Sequence, residues 1–281
     1  MNITVVTDSR MANQCHIDAI SASAIRNDHL ATDIVISPLE LHSHVDCDLI
    51  ILVGVDIYHE ALVRSLTNDW KIPYAMFIPY IYPDDTLFTS VASNARFLIT
   101  SSPQHNVGLH HAPNIPKIIF GPIVSPHAVY IQDKSKLNSI SNYISVTPAD
   151  DPDGVEMCEE YVEYQECETS TMPYPLGLAG RSVMYGKHIK AIHIPSRIDY
   201  LGTYAIEALL YGCELYTTDR CTPCIQRPIL SSCKHNSYKM IGFESYLFYR
   251  MNTTREKLSN ALARMQTEFW KSVGELICKN Q

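Results

Sequence analysis

Residues His193–Arg220 read HIPSRIDYLGTYAIEALLYGCELYTTDR, and their reading decides the fold. His193 to Pro195 close a short apolar strand. Asp199-Tyr-Leu-Gly202 is a tight turn. Thr203 to Tyr211 is a helix carrying Ala205, Ile206, Ala208, Leu209 and Leu210. Gly212 ends it as a C-terminal glycine, and Glu214 to Thr218 begin the next strand. The first N–H groups of a helix lack intrahelical partners, so a turn that feeds a helix suits an anionic ligand. Asp199 and Glu207 flank this turn eight positions apart. Glu207 lies one helical turn inside, too deep to cap. Taken alone, it reads as a solvated carboxylate on an amphipathic helix.

The wider spacing Pro195-Ser196-x-x-Asp199-x-x-Gly202-x-x-x-x-Glu207-Ala208-x-x-x-Gly212 resembles the nucleotide-sugar signature of retaining glycosyltransferases with two Rossmann-like domains, the GT-B fold. The resemblance implies that Glu207 holds the ribose hydroxyls and that Asp199 faces the donor sugar. It implies that backbone N–H groups around Gly202, Thr203 and Tyr204 meet the diphosphate. Asp199 stands where the family usually has Glu, one methylene longer.

The 281 residues are 46% hydrophobic, enough for one large or two small cores. No apolar run reaches eighteen residues, and Met1-Asn-Ile-Thr carries no export pattern. The expectation is a cytoplasmic protein without a membrane partner. The nine cysteines form no regular framework and are expected as free thiols. The net charge of -8 is local: residues 150–168 hold nine acids and no Lys or Arg. A polyanion partner elsewhere on the surface is therefore compatible with the overall charge.

Elsewhere the chain alternates strands and helices, the mark of a parallel α/β sheet. Strands are expected at residues 2–6, 33–37, 48–55, 73–79, 96–100, 117–120 and 142–147. Helices are expected at 18–25 and 60–70, and one acidic amphipathic helix over the 150–168 segment. Asp48-Leu-Ile-Ile-Leu-Val-Gly-Val55 is nearly continuous apolar, as in a strand buried on both faces. Residues 132–141 are polar and serine-rich, a hinge. Thr253-x-x-Glu256 is a capping box, and Leu258, Leu262, Met265, Phe269, Val273 and Leu276 form one stripe of the helix that follows. The expected division is an acceptor domain over 1–135, a nucleotide-sugar domain over 136–250, and a helix over 251–281 that packs back on the first domain.

No G-x-G-x-x-G or G-x-x-x-x-G-K-[ST] occurs. Where the GT-B family often has a glycine pair after the first strand, this chain has Asp8-Ser9-Arg10, with Arg10 a candidate phosphate contact. Where the family supplies an Arg and a Lys for the diphosphate, it has Thr147-Pro-Ala-Asp-Asp-Pro-Asp-Gly154. A departing diphosphate needs positive charge or N–H donors. Arg181, expected at the end of the strand-like Leu176–Gly180, is the candidate substitute, ahead of Lys187 and Arg197. His105 and Asp84, in expected strand-end loops, are the candidates for a general base. Cys221-x-x-Cys224 with Cys233 and His235 carries zinc-like elements, but the spacing matches no standard finger. Neither these residues nor the pairs His42/His44 and His110/His111 are expected to hold a metal. Residues 220–239 read as a polar loop, either solvated or facing the acceptor.

The compact chain, the strand over Pro116–Ile123 followed by Ser125-Pro-His, and the helix opening Tyr204-Ala-Ile-Glu207 are also similar to phage DNA-base glycosyltransferases. That likeness implies glucosyl or arabinosyl transfer to 5-hydroxymethylcytosine in double-stranded DNA. The expectation is thus an enzyme with a UDP-linked sugar as donor and no cofactor. The alternatives are a glycan or small-molecule acceptor, or nucleotide-sugar binding without catalysis.

Overall fold

A computed structural model of the chain describes residues 1–7, 10–35, 47–54, 71–79, 86–110, 114–125, 143–172, 178–243 and 245–278. It divides into two compact units, Met1–Ser125 with Arg264–Gln281, and Pro126–Ala263. Each is an α/β unit built on its own six-stranded sheet.

The first unit runs β1 (Asn2–Thr7), α1 (Arg10–Arg26), β2 (Leu30–Val35), β3 (Leu49–Val53), β4 (Tyr74–Phe77), α2 (Thr86–Ala92), β5 (Leu98–Thr100), α3 (Pro103–Gly108) and β6 (Lys117–Ile119). The strand order is β2-β1-β3-β4-β5-β6, parallel throughout. Every residue of β3, Leu-Ile-Ile-Leu-Val, is buried, because a central parallel strand is covered on both faces.

The second unit contains β7 (Tyr143–Ser145), α4 (Pro152–Tyr164), β8 (Thr169–Thr171), α5 (Leu178–Lys187), β9 (Lys190–His193), α6 (Thr203–Leu210), β10 (Glu214–Thr218), α7 (Thr222–Ile225), α8 (Arg227–Ser232), β11 (Lys234–Tyr238) and β12 (Phe248–Asn252). The order is β11-β12-β10-β9-β7-β8, parallel except that β12 runs antiparallel to both its neighbours, β10 and β11. α4 buries Cys158, Tyr161 and Val162 and leaves its acids on the opposite face. Tyr161 lies 5.6 Å from Phe248 as a stacked pair, and its hydroxyl is 2.8 Å from that of Tyr238.

α9 (Arg255–Cys278) closes the chain, and its second half belongs to the first unit. There the Trp270 Nε1–H donates to Ser23 Oγ at 2.8 Å, and Phe269 sits edge-on to Phe120 at 5.1 Å. Gly121, at φ +99°, admits α9: a Cβ on it would stand 2.9 Å from Met265 Cε.

His16 of α1 is buried against the Phe77 ring, 5.1 Å between centroids, and its Nδ1 has no hydrogen-bond partner among the described residues. Burial pushes its pKa down to about 4. Between pH 6.5 and 4 the unfolded chain takes up a proton at this site that the folded chain refuses. The stability it supports is therefore complete above pH 6.5 and declines as pH falls, by about 3 kcal/mol on reaching pH 4. Urea unfolding of the native chain and His16→Leu across this range will show a pH dependence that the variant lacks. Equal slopes, or a His16 resonance titrating near 6.5, would refute it.

Several local expectations need correction. α1 begins at Arg10 rather than Asp18, so Arg10 opens a helix and is not part of the preceding turn. Leu178–Lys187 is helical, so Arg181 sits on α5 and not at a strand end. The short apolar run Leu-Gly-Leu-Ala-Gly fits either period, and its last three residues are helical. The polar loop expected over 220–239 is two short helices and edge strand β11. The hydroxyl that caps α9 is that of Thr254, which accepts from the Lys257 N–H at 3.4 Å, while the Thr253 hydroxyl donates to Ser232 O at 2.6 Å. The helix expected over 60–70, the hinge over 132–141, Asp84, His42, His44 and His111 lie outside the described residues.

Candidate functional site

In the second sheet the chain leaves β7 for β8 on one side, then returns to β9 on the other. Loops leaving β7 and β9 at their carboxyl ends therefore diverge, opening the crevice where α/β sheets bind ligands. Residues 146–151 and 194–202 border it. The first sheet switches direction between β1 and β3, and residues 8–9 and 55–60, which follow those strands, lie outside the described residues.

The turn after β9 is built by Asp199. Its Oδ1 accepts the N–H groups of Leu201 at 3.0 Å and Gly202 at 2.9 Å. Gly202 adopts φ +60° and starts α6 with no side-chain cap. A Cβ there would be strained by its backbone and would meet Pro223 Cγ at 2.8 Å. The other Asp199 oxygen, Oδ2, accepts from His193 Nε2 at 2.9 Å. Burial opposes charge on His193, but the Asp199 carboxylate and the Cys221 sulfur outweigh it and hold its pKa up to about 10. Burial likewise opposes the Asp199 charge, and His193 with the two turn N–H groups brings its pKa below the usual carboxylate value. The Asp199 side chain keeps 25% of its surface exposed, so it lies at the edge of the crevice.

Asp151 caps α4 and joins the two loops. Its Oδ1 accepts the Gly154 N–H at 3.2 Å, and its Oδ2 accepts the Ser196 N–H at 2.9 Å. The Ser196 hydroxyl also donates to this carboxylate. Arg220 donates to Ser196 O and places its guanidinium 4.4 Å from the Tyr246 ring centroid. The acid in the run after β7 thus binds N–H groups and so fixes the crevice's walls.

Glu207 is fully buried, which removes the solvated reading of it. Arg181 grips it through two bonds, Nε to Oε2 at 2.8 Å and Nη2 to Oε1 at 2.9 Å. Burial works against the Arg181 charge, and Glu207 more than restores it. The guanidinium, 12% exposed as a side chain, lies 5.3 Å from the ring centroid of Tyr204, in the first turn of α6. The fold brings together Arg181, Tyr204 and Glu207, and separately Asp199 and Gly202. Thr203 is the first residue of α6. Arg10 and His105 belong to the first unit, where His105 is fully buried and its Nδ1 is 3.2 Å from Ser101 Oγ.

No family model matches this chain, and neither does any curated protein. Among the solved structures that resemble it are two of sugar-nucleotide proteins. One is a protein assigned as a UDP-N-acetylglucosamine 2-epimerase from Listeria monocytogenes, at 11% identity and TM-score 0.46, covering 94% of this chain and 90% of that one. The other is Alr3699/HepE of Anabaena in complex with UDP and glucose, at 13% identity and TM-score 0.43, covering 76% of this chain and 80% of that one. Likenesses this distant leave the site to be read from the chain's own residues.

His193, Asp151, Ser196 and Cys221 went unnoticed in the sequence as a set. Only the pairing of His193 with Asp199 across one turn gave a local signal. His193, Asp199 and Cys221 place a nitrogen, an oxygen and a sulfur within 4.8 Å of one another, the one such grouping among the described residues. An open depression of about 380 Å3 lined by Glu214, Lys234, His235, Asn236, Arg250 and Asn252 lies on the β10–β12–β11 side. Glu214 is at the amino end of β10, so this depression is separate from the crevice. No helix among the described residues is long and apolar enough to cross a membrane.

Proposed function

We propose that the second unit binds a nucleoside diphosphate sugar, UDP-linked, and that the chain transfers the sugar to an acceptor hydroxyl. The observation that carries this reading is the left-handed Gly202 feeding α6 at the carboxyl end of β9, beside the point where the strand order reverses. The diphosphate lies against Thr203 and Tyr204, where the helix dipole and backbone N–H groups favour negative charge. Arg181, held over Tyr204 by Glu207, adds the cation that the acidic run after β7 does not supply. Together these stabilise the charge that develops as the diphosphate departs. Asp199 shapes the turn that presents the N–H groups, and its exposed edge faces the sugar. The 5-hydroxymethylcytosine acceptor rests on the sequence resemblance alone. Asp151 in the run where the resembling enzymes carry a basic pair favours a second reading, binding without transfer.

Thr203→Asp tests the donor site. A carboxylate in the first turn suits the helix dipole but repels a diphosphate. Calorimetry on the full chain is expected to show unchanged or raised thermal stability and UDP affinity weakened about tenfold or more. Unaltered affinity, or no binding of UDP or UDP-sugars by the native chain, would sink the proposal. Release of UDP from UDP-sugar with a hydroxymethylated duplex or a glycan as acceptor separates transfer from binding alone.

A further inference from the structure

We propose that His193, Asp199, Cys221 and Cys224 form a structural zinc site behind the Asp199–Gly202 turn. His193 Nε2 is 2.9 Å from Asp199 Oδ2, Cys221 Sγ is 4.0 Å from the same oxygen, and the two sulfurs are 3.4 Å apart. Tetrahedral zinc with ordinary bond lengths separates such donors by about 3.4, 3.6 and 3.8 Å respectively. Each of these three distances is within about half an ångström of that pattern. His193, Asp199 and Cys221 already lie within 4.8 Å of one another, and Cys224, outside that grouping, completes the set by turning its side chain toward them.

The donors are held by the backbone. Asp199 forms a parallel bridge with Cys221, its N–H bonds Arg220 O at 2.9 Å, and its carbonyl accepts the Thr222 N–H at 3.0 Å. The Cys224 N–H bonds Cys221 O at 3.1 Å, the tight turn of a Cys-x-x-Cys chelate. Thr147 Oγ1 lies 3.4 Å from His193 Nδ1, placed to orient the imidazole from the side away from the ion. Cys221, Cys224 and His193 are buried, which admits an ion more readily than a protein partner for thiol exchange. Zinc takes the place of the proton shared by His193 and Asp199, and its binding releases protons from the thiols. The spacing of Cys221 and Cys224 to Cys233 and His235 matched no finger because the fold draws the remaining donors from the other side, through β9. Cys233 is half-buried and His235 exposed on β11. This inference shares Asp199 with the nucleotide reading, but its test contains no nucleotide, so the two can fail separately.

The test is cobalt titration of the reduced, metal-free full chain, with zinc K-edge absorption on the same protein loaded with zinc. We expect one equivalent, a thiolate-to-cobalt charge-transfer band, and a zinc shell of two sulfurs with two lighter ligands. Cys221→Ser and Cys224→Ser each weaken binding by about 100-fold or more, whereas Cys233→Ser leaves it unchanged. No thiolate band, a shell without sulfur, a band that survives both substitutions, or a Cys221–Cys224 disulfide in protein made with zinc would each overturn it. The wild-type absorption measurement decides the matter even where a variant fails to fold.

Discussion

Arg181→Ala is expected to destabilise the second unit by about 3–5 kcal/mol, measured by urea unfolding of the full chain. The physical cause is the carboxylate left behind. Glu207 is fully buried, and both of its oxygens are bonded by Arg181. Tyr185 offers only a hydroxyl at 3.5 Å. Removing the guanidinium strands a buried charge, which costs more than the pair gains by forming. Replacing both partners with apolar residues, Arg181→Met with Glu207→Leu, should recover most of the loss, since no charge then needs a partner. A loss under about 1 kcal/mol for Arg181→Ala would mean that water reaches Glu207. The double variant also separates structure from function. If Arg181 serves the donor diphosphate, the double variant regains stability but binds UDP weakly. If the pair only clamps α5 to α6, stability and UDP affinity return together.

Trp270→Ala is expected to cost about 3–5 kcal/mol in the first unit, through a large cavity and a lost hydrogen bond. Trp270 is buried, stands 4.9 Å edge-on to Phe269, and meets His29 at 5.1 Å. Its indole N–H is bonded to the buried Ser23 hydroxyl. Trp270→Phe keeps much of the ring but orphans that hydroxyl, so it should cost less. Adding Ser23→Ala to Trp270→Phe should relieve part of the remaining penalty, because the orphan is removed. Urea midpoints of the three variants check this order. A Trp270→Ala chain as stable as the native one would show that the end of α9 is not part of this core.

Much of the fold was legible locally. The β9–turn–α6–β10 stretch was read with its two glycines, Gly202 before α6 and Gly212 after it, both of which adopt positive φ. The buried strands were legible from apolar runs, and the stripe of α9 from its spacing, with Leu258, Met265, Phe269 and Val273 buried. β8, β11 and β12 were missed. Lys234–Tyr238 is an edge strand with mostly exposed side chains, so it carries no hydrophobic period to detect. The site was less legible than the fold. Glu207 looked solvated when taken alone and ribose-facing by the resemblance, and neither reading gave its pairing with Arg181, which lies 26 residues away on a segment that read as a strand. Asp151 stood in the run where the resembling family has a basic pair, and only the fold shows that Ser196, 45 residues on, donates to it.

What the sequence determined by itself was the buried parallel strands, the last helix and the turn that begins α6, because periodicity, glycine and capping act within a few residues. Tertiary structure alone decided which charge pairs with which: Arg181 with Glu207, Asp151 with Ser196, His193 and Asp199 with Cys221. A polar group can be buried only where a partner meets it, and parallel strands bring those partners together from distant parts of the chain.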